Sequence, residues 1–420
     1  MKVVKPNNTN DALPYMIEGN IFLTGPPGTG KSYTIKKYIE KCEHLKVAIT
    51  ASTGIAAKII GGVTINSWAG IGLADTSKEK ILERIKNNLR KKKSWVKCDV
   101  LVIDEISMLS WETWELLDYI GKELRKSSRP FGGIKIIATG DFYQLPPVKG
   151  TMMIEKDFLS YFDYTIILTK SYRSQDPILN NILHTVRTGD KLSDEQHILL
   201  KNRVNKDNIT YPLLVSLRDT ANTMNNDKLD KNENAMKWCN MSETYCIDMK
   251  TNAKIHSNEI LESIATNECN LENKIVLKIG APVIYLVNDI MNGLVNGSVG
   301  TIVKFNEKNP VAQFSEGKLV EIEKHNYRKE FPDANTTVIV EQYPLLLAYA
   351  LTIHRAQGQT LSQGTLLLDN TIFECGQAYV ALSRFQTLDS ITLLRYKKNV
   401  FKINNMVKEF YDKLDLNISL

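Results

Sequence analysis

Residues 20–32 read NIFLTGPPGTGKS, a short apolar segment that runs into a glycine-rich turn and then into a polar segment. The pattern predicts a strand, a phosphate-binding loop of the form GxxxxGK[ST] and the first turn of a helix. Glycine lets such a loop bend tightly and bring backbone N–H groups onto a polyphosphate without an intervening side chain. The residues expected to hold the phosphates are Gly25, Gly28, Thr29, Gly30, Lys31 and Ser32.

Two residues of this loop carry the chemistry. Lys31 is expected to offer its charge to the outer phosphates, and Ser32 its hydroxyl to a magnesium ion. The next segment should be a helix, because apolar residues recur at helical spacing from Ile35 to Cys42, and its N-terminal dipole favours an anion. A chance glycine-rich turn is the alternative, and it is disfavoured because strand, turn and helix follow in the required order.

Length and composition bound the class of protein. The 420 residues predict about two to four domains. A hydrophobic content of 43% and a charged content of 24% are those of a soluble globular protein. The sequence has no apolar stretch of membrane-spanning length, its first residues do not resemble a signal peptide, and its six cysteines are scattered without a CxxC pair. We therefore expect an intracellular protein of the nucleus or cytoplasm, with no membrane partner.

The net charge of +6 permits a nucleic-acid partner without establishing one. Residues 51–72, ASTGIAAKIIGGVTINSWAGIG, follow a predicted strand and combine small residues with short polar side chains suited to phosphate oxygens. Candidate DNA contacts here are Thr53, Thr64, Asn66 and Trp68. Trp68 could stack on a base, although a tryptophan packed beside a core is the commoner case.

A basic segment follows at residues 81–93, ILERIKNNLRKKK, where an apolar stripe lies opposite a run of lysines and arginines. A solvated helix face and a nuclear targeting signal are the alternatives. A basic projection near nucleic acid is the favoured interpretation, because the segment adjoins the candidate DNA contacts.

Two predicted strands end in polar residues. Residues 100–103 are an apolar run followed by Asp104 and Glu105, and residues 133–140 lead to Gln144. We expect Asp104 to hold the water shell of magnesium and Glu105 to orient and deprotonate the attacking water. Gln144 is expected to sense the terminal phosphate or to position water. A plain acidic turn is the alternative for the two carboxylates, and the upstream phosphate loop disfavours it. Because parallel strands bind ligands at their carboxyl ends, residues 20–170 are predicted to form one doubly wound lobe.

The remainder predicts a second α/β region with an inserted β unit. Arg173 lies in a loop before a helix that Asp176 caps, and Arg384 ends a short helix. Strands at 274–279, 282–287 and 298–305 are separated by Asn-Gly turn signals at 292–293 and 296–297. Residues 352–360, TIHRAQGQT, form a ligand-facing turn with Thr352, His354, Gln357 and Gly358, although His354 alone would more often be structural. A tail helix should pack an apolar face on the core, with Ile403, Met406, Val407, Phe410, Tyr411 and Leu414.

In this order the segments resemble the motifs of superfamily-one, group-B DNA helicases, most closely the PIF family, named for petite integration frequency and related to RecD and Dda. The resemblance runs from about residue 19 to residue 391. The matching segments are GPPGTGKS, ASTGIAA, DEISM, GDFYQLPPV, SYR, LTIHRAQGQT and GQAYVALSR. Such an ordered series is far more specific than a lone phosphate loop.

The resemblance implies ATP and Mg²⁺ as cofactors, with Ser32 and Asp104 serving the metal. It also implies that Arg173 and Arg384 are arginine fingers from the second lobe, a feature worth roughly 10³–10⁵ in rate. Gln357 and Gly358 would lie near phosphate, and the regions 53–68 and 352–357 would grip DNA. The chain departs from the family pattern by having no glutamine in residues 1–20, and by Asn66 and Trp68 where histidine and phenylalanine are frequent.

The implied fold is α/β, with two RecA-like doubly wound parallel-sheet lobes, a small wedge insertion and an SH3-like β-barrel insertion. Residues 1–170 would form the first lobe, with the wedge at about 74–95. Residues 171–225 and 340–420 would form the second lobe, and residues 226–339 an inserted domain containing the SH3-like unit at about 274–305.

The implied activity is that of an ATP-dependent DNA helicase that moves 5′ to 3′ on single-stranded DNA, with roles in DNA repair, replication, recombination and telomere maintenance. Expected partners are single-stranded DNA and forked or tailed duplex DNA, with RNA/DNA hybrids as a further candidate, and the expected state is a monomer. Two alternatives remain open: an ATP-driven translocase that strips proteins or remodels RNA, and a nucleotide-gated DNA-binding module.

Overall fold

The protein, described from a computed structural model, divides into two compact units, Met1–Thr210 with Thr352–Leu420 and Tyr211–Leu351. The structure describes residues 1–72, 74, 76–207, 209–233, 237–249, 251–268, 273–287, 289, 291–294, 298–306, 309–314, 317–331 and 334–416. The predicted turn at 296–297 and position 75 of the predicted wedge lie outside these residues. Among the described helices, none is both long and apolar enough to cross a membrane.

The first unit contains a parallel sheet with strand order β1-β7-β2-β6-β5-β3-β4. Its strands are β1 (Lys2–Val4), β2 (Ile21–Thr24), β3 (Val47–Ala51), β4 (Val63–Thr64), β5 (Val100–Asp104), β6 (Lys135–Gly140) and β7 (Tyr164–Ile167). The helices up to residue 210 are α1 (Thr9–Glu18), α2 (Lys31–Lys41), α3 (Gly54–Ile59), α4 (Ile65–Ala69), α5 (Lys78–Asn87), α6 (Leu89–Lys97), α7 (Trp111–Arg125), α8 (Pro177–Thr188) and α9 (Asp194–Asn202).

Helices and rings cover both faces of this sheet. Because side chains alternate along a strand, Ile21 and Leu23 of β2 face the helices α1 and α2, where they pack with Met16 and Ile35. Phe22 points to the opposite face, into a cluster of rings. The rings of that cluster are Phe22, Phe142, Phe158, Phe162 and Phe410. Burial on both faces explains why these strands are continuous apolar runs, and the predicted α/β class is confirmed.

The same unit continues after residue 352. Its later elements are α12 (Ile353–Ala356), β21 (Gly364–Leu368), α13 (Gln377–Leu382), β22 (Ile391–Tyr396) and α14 (Asn405–Leu416). Strands β21 and β22 pair in parallel and α13 connects them, as in a βαβ unit. The predicted tail helix is present as α14, but Ile403 precedes it and Met406 is 43% exposed, so the buried face is narrower than predicted.

The second unit is rich in antiparallel strands. Its elements are β8 (Leu213–Val215), α10 (Arg218–Asp230), β9 (Lys237–Met241), β10 (Glu243–Asp248), β11 (Lys254–Ile255), α11 (Glu259–Glu268), β12 (Lys274–Lys278), β13 (Pro282–Tyr285), β14 (Val299–Phe305), β15 (Pro310–Gln313), β16 (Leu319–Glu321), β17 (His325–Phe331), β18 (Thr336–Gln342), β19 (Leu345–Leu347) and, at its boundary, β20 (Ala350–Thr352). One sheet has the order β16-β15-β14-β13-β19 and another β11-β10-β18-β17.

The three strands predicted at 274–305 are present as β12, β13 and β14. The Asn292-Gly293 turn is also present, because Asp289 and Leu294 exchange backbone hydrogen bonds around it. The SH3-like topology and the predicted domain limits stay predictions.

Candidate nucleotide-binding cleft

The phosphate loop joins β2 to α2, and its glycines are required by close packing. At Gly25, with φ of +144°, a Cβ atom would lie 2.1 Å from the carbonyl oxygen of Leu168. Lys31 begins α2, and its Nζ donates to the carbonyls of Gly25 at 2.6 Å and Pro26 at 2.9 Å. Burial lowers the pKa of Lys31, and nearby carboxylates oppose that effect. The ammonium group is therefore held at the loop, at the N-terminus of a helix.

Two acidic residues stand at the end of β5. The backbone N–H of Glu105 donates to Asp104 Oδ1 at 2.9 Å, and the Ser32 hydroxyl lies 3.5 Å from Asp104 Oδ2. Burial, and then the charge of Glu105, raise the pKa of Asp104 to about 7. Glu105 has a left-handed backbone with φ of +53°, and its carbonyl accepts a hydrogen bond from Ser52. Strain of this kind in a residue other than glycine is typical of functional sites.

Gln144 follows β6, in a turn closed by a hydrogen bond from its N–H to the carbonyl of Asp141 at 2.9 Å. Its side chain is 3% exposed, and among the described residues its Oε1 finds no hydrogen-bond partner. The Oε1 of Gln357 is also buried without a partner in the described part of the chain, whereas its Nε2 donates to Glu105 Oε2 at 3.2 Å. Unsatisfied buried oxygens beside carboxylates fit a site whose polar groups complete their bonding with a ligand.

Arg173 lies directly against the phosphate loop. A Cβ atom on Gly28 would lie 2.4 Å from Arg173 Cβ, and the N–H of Tyr172 donates to the Gly28 carbonyl at 2.7 Å. The Arg173 guanidinium donates from Nη1 to the carbonyl of Ser383 at 3.0 Å. Burial lowers the pKa of Arg173, while the charge of Glu105 opposes the shift.

Arg384 is 1% exposed. Its guanidinium bonds the Val380 carbonyl at 2.9 Å and the Ser383 hydroxyl at 2.8 Å. Burial and then the charge of Arg173 lower the pKa of Arg384 to about 9. Two guanidinium groups held near each other in a dry site favour binding of an anion.

These residues surround one cleft of about 350 Å³. The predicted site residues that line it are Gly28, Gly30, Lys31, Ser32, Asp104, Glu105, Gln144, Arg173, Gly358 and Arg384. Gly25 and Thr29 belong to the loop, and Gln357 reaches the site through Glu105. The carboxylate of Asp104 and the hydroxyl of Ser32 supply oxygen ligands of the kind that Mg²⁺ prefers, so the residues fit a magnesium–nucleotide complex.

The predicted DNA contacts have bonds within the protein. Thr53, Thr64 and Thr352 accept hydrogen bonds from backbone N–H groups at the starts of α3, α4 and α12. Asn66 donates to the carbonyl of Gly72 at 2.9 Å. Trp68 packs on Trp95, with 4.7 Å between the ring centres. Burial lowers the pKa of His354. Their contacts with nucleic acid stay predictions.

Sequence reasoning missed a buried ion pair next to the cleft, between Asp141 and Arg187. It also missed Ser52, whose hydroxyl fixes the strained carbonyl of Glu105. Ser52 is part of the ASTGIAA segment, where a short hydroxyl beside a sheet edge was the available signal.

A family model described as PIF1-like helicase matches residues 9–178. The chain is 33% identical over 408 residues to the ATP-dependent DNA helicase PIF1 of Xenopus laevis, covering 94% of this chain but 62% of that relative. It is 31% identical over 403 residues to the ATP-dependent DNA helicase Pif1 of Bdellovibrio bacteriovorus, covering 94% of this chain and 89% of the relative. The chain thus spans less than two thirds of the length of the frog relative.

Solved structures agree over nearly the whole chain. The Pif1 helicase of Candida albicans superposes with a TM-score of 0.87 at 30% identity, covering 98% of this chain and 99% of that one. Pif1 of Bacteroides bound to ssDNA has a TM-score of 0.74 at 25% identity, covering 99% and 98% of the two chains. Bacteroides Pif1 in complex with ADP-AlF4 has a TM-score of 0.72 at 25% identity, covering 98% and 97%.

Proposed function

Since the chain belongs to the PIF1-like helicase family, we propose that it is an ATP-dependent DNA helicase that hydrolyses ATP between two RecA-like lobes. The observation that supports this most is the single cleft lined by Lys31, Glu105, Arg173 and Arg384. A phosphate-binding lysine, a water-orienting carboxylate and two guanidinium groups are the parts that phosphoryl transfer to water requires.

Each group has a distinct role in the proposed reaction. Ser32 and Asp104 would hold Mg²⁺, which when bound neutralises charge on the outer phosphates. Glu105 orients and deprotonates the attacking water, and Gln357 fixes the Glu105 carboxylate by donating from Nε2 to Oε2. Gln144 would sense the terminal phosphate by donating from its side-chain Nε2, while its Oε1, unpartnered among the described residues, is free to accept from the attacking water.

Arg173 and Arg384 stabilise the charge that develops on the transferred phosphoryl group, a contribution of roughly 10³–10⁵ in rate for an arginine finger. Both lie in elements that follow residue 170, whereas Lys31 and Glu105 lie before it. Nucleotide binding therefore favours a state in which the two sets of residues approach, and loss of the terminal phosphate removes that preference.

Single-stranded DNA is the proposed track. Bacteroides Pif1 has been crystallised with ssDNA. Opening one base-pair step costs about 1.4 kcal/mol on average, so local melting is within reach of binding, but sustained directional unwinding requires hydrolysis. The direction 5′ to 3′, action on RNA/DNA hybrids, a monomeric state, a nuclear or cytoplasmic location, and the roles in repair, replication, recombination and telomere maintenance are parts of this proposal.

The test uses the full chain in steady-state ATP hydrolysis with and without oligonucleotide, and in unwinding of 5′-tailed and 3′-tailed duplexes. Lys31→Ala and Glu105→Gln should abolish DNA-stimulated turnover while DNA binding persists. Matched controls are Lys36→Ala on the exposed side of α2 and Glu43→Gln on the surface, which should behave as wild type. Full turnover in Glu105→Gln would refute the proposal.

Strand displacement separates the helicase from the two alternatives. A translocase would hydrolyse ATP and displace a bound protein from the tail while leaving the duplex closed. A nucleotide-gated binding module would change its DNA affinity with nucleotide yet show no turnover.

A further inference from the structure

Asp141 follows β6 and is fully buried, so its charge requires partners inside the protein. The Arg187 guanidinium, on α8, donates two hydrogen bonds to this carboxylate, from Nε to Oδ2 at 3.1 Å and from Nη2 to Oδ1 at 3.0 Å. The same guanidinium lies 4.5 Å from the ring centre of Tyr143 and 5.1 Å from that of Tyr411. Burial alone would lower the pKa of Arg187, but the charge of Asp141 outweighs burial and raises that pKa, so the guanidinium stays charged.

The hydroxyl of Tyr411, on α14, joins three chain segments. It lies 2.7 Å from Thr24 Oγ1, accepts a hydrogen bond from the N–H of Phe142 at 3.1 Å, and lies 3.4 Å from Asp141 Oδ1. Thr24 ends β2 directly before Gly25, so this contact holds the strand residue that precedes the phosphate loop. Phe142 belongs to the turn that carries Gln144. Burial raises the pKa of Tyr411, so the neutral phenol both donates and accepts.

Helix α13 meets the same turn. The Tyr379 hydroxyl lies 3.4 Å from Asp141 Oδ2. At Gly376, which caps the helix with φ of +76°, a Cβ atom would lie 2.4 Å from the carbonyl oxygen of Tyr143. Helix α13 is short, and Arg384 follows it closely. We therefore expect a shift of the contact at Gly376 to displace Arg384.

We propose that these side chains position the two faces of the nucleotide cleft for hydrolysis. The residues, called here the Asp141 cluster, are Asp141, Arg187, Tyr379 and Tyr411. They connect β2 and the Gln144 turn to α8, which follows Arg173, and to α13, which precedes Arg384. Hydrogen bonds in a dry ionic network have fixed directions. The Asp141 cluster therefore fixes the relative position of the two cleft faces more tightly than apolar packing alone would. Its members are positioning residues, and none of them lines the cleft.

The inference rests on the proposed ATPase function and is tested with Tyr411→Phe. This change keeps the ring on Arg187 and removes the hydroxyl that contacts Thr24 and Phe142. The matched control is Tyr396→Phe, because Tyr396 ends β22 and its hydroxyl is hydrogen-bonded to His197 of α9. The measurements are kcat and KM for ATP with saturating oligonucleotide, the affinity for a fluorescent ADP analogue, and the melting temperature.

We expect DNA-stimulated kcat of Tyr411→Phe to fall roughly ten- to hundredfold, the size that a small misplacement far from the chemistry produces. KM and ADP affinity should stay within about twofold of wild type, since the phosphate loop still binds. The Tyr396→Phe control should retain wild-type kcat. A kcat loss accompanied by equal losses in ADP affinity would indicate general destabilisation and would overturn the inference.

A second variant, Thr24→Val, removes the partner hydroxyl from the other side. If the two hydroxyls act as one contact, the double variant Thr24→Val/Tyr411→Phe should be no slower than the slower single variant. Effects that multiply in the double variant would overturn the inference. An inactive wild-type chain would overturn the proposed function itself, whereas active wild-type and fully active Tyr411→Phe would overturn the positioning role alone.

Discussion

Two buried carboxylates stand at the ends of neighbouring strands, and the protein treats them differently. Asp141 after β6 is held by the fork of Arg187. Asp104 at the end of β5 accepts a backbone N–H and lies 3.5 Å from a serine hydroxyl, and no lysine or arginine of the described residues forms an ion pair with it. The same kind of side chain is therefore paired directly with an arginine at one strand end, whereas at the next the charge of Lys31 lowers the pKa of Asp104 without forming an ion pair among the described residues.

The arginines repeat this contrast. Arg187 has a carboxylate partner that raises its pKa, whereas in the described part of the chain the Arg384 guanidinium donates to neutral oxygens and its pKa is lowered to about 9. A buried charge without a counter-charge destabilises the protein alone and gains most from a charged ligand. We therefore expect a bound cation to stabilise Asp104 and a bound anion to stabilise Arg384. A magnesium–triphosphate complex supplies both. We therefore propose that the paired residues stabilise the fold and that the residues without an ion pair bind the ligand.

The largest effect should come from removing an unpaired charge. Arg384→Ala is expected to lower DNA-stimulated kcat for ATP by about 10³-fold or more, because the guanidinium stabilises transition-state charge. The measurement is steady-state hydrolysis at saturating ATP and oligonucleotide.

The control for this prediction is Arg395→Ala, whose guanidinium is 69% exposed and lies 3.6 Å from Asp369. It should keep wild-type kcat. A kcat for Arg384→Ala within tenfold of wild type would contradict the assignment of Arg384 to the unpaired, ligand-facing group.

Removing the paired charge should instead damage stability. Arg187→Met leaves Asp141 buried without its partner, which typically costs about 3–5 kcal/mol of folding free energy. Calorimetric melting should therefore give a clearly lower transition temperature, and Asp141→Leu/Arg187→Met should recover much of the loss. Lys408→Met, which breaks an exposed pair with Asp412, should cost at most about 1 kcal/mol. Equal melting temperatures for Arg187→Met and Lys408→Met would contradict the structural role.

The sequence predicted the unpaired groups much better than the paired ones. Lys31 lies in a phosphate loop whose spacing alone indicates a phosphate site, and Glu105 follows an apolar strand, whereas the role of Arg384 was implied by the resemblance to the PIF family. In the chain, Asp141 lies 46 residues from Arg187 and 270 residues from Tyr411. No short sequence motif connects these residues. From its spacing Tyr411 is predicted only as an apolar residue of the tail helix, and the structure is needed to place its hydroxyl beside Thr24.

Short polar residues gave an ambiguous signal for a different reason. Thr53, Thr64 and Thr352 suit phosphate contacts, but the same residue type is favoured before a helix, where each of them accepts a backbone hydrogen bond. Residues 222–270 gave almost no signal. Helix α10 buries Asn225, whose side chain bonds both backbone groups of Ala350, and a polar residue in a core position breaks the apolar period.

The smallest expected effect is the pH dependence of stability at Asp104. Burial and then Glu105 raise the pKa of Asp104 from 3.8 to about 7, so the folded state binds this proton more tightly than the unfolded state does. The stabilisation from the protonated carboxyl is fully present below pH 3.8 and is lost as pH rises through about 7. Above that pH the wild type carries a buried charge whose burial cost exceeds the favourable effect of Lys31, and an asparagine of the same shape avoids this cost.

Asp104→Asn should therefore be more stable than wild type at pH 8 by roughly 1–3 kcal/mol, and the advantage should shrink towards pH 5 as Asp104 protonates. The measurement is the melting temperature at both pH values without nucleotide and with a chelator, so that no cation offsets the charge. Asp141→Asn should show the opposite sign, a loss of stability at pH 8, because its carboxylate already has Arg187. The contrary result is that Asp104→Asn lowers the melting temperature at pH 8, as Asp141→Asn is expected to do. That result would make the two strand ends equivalent and would contradict the assignment of Asp104 as a metal-binding carboxylate.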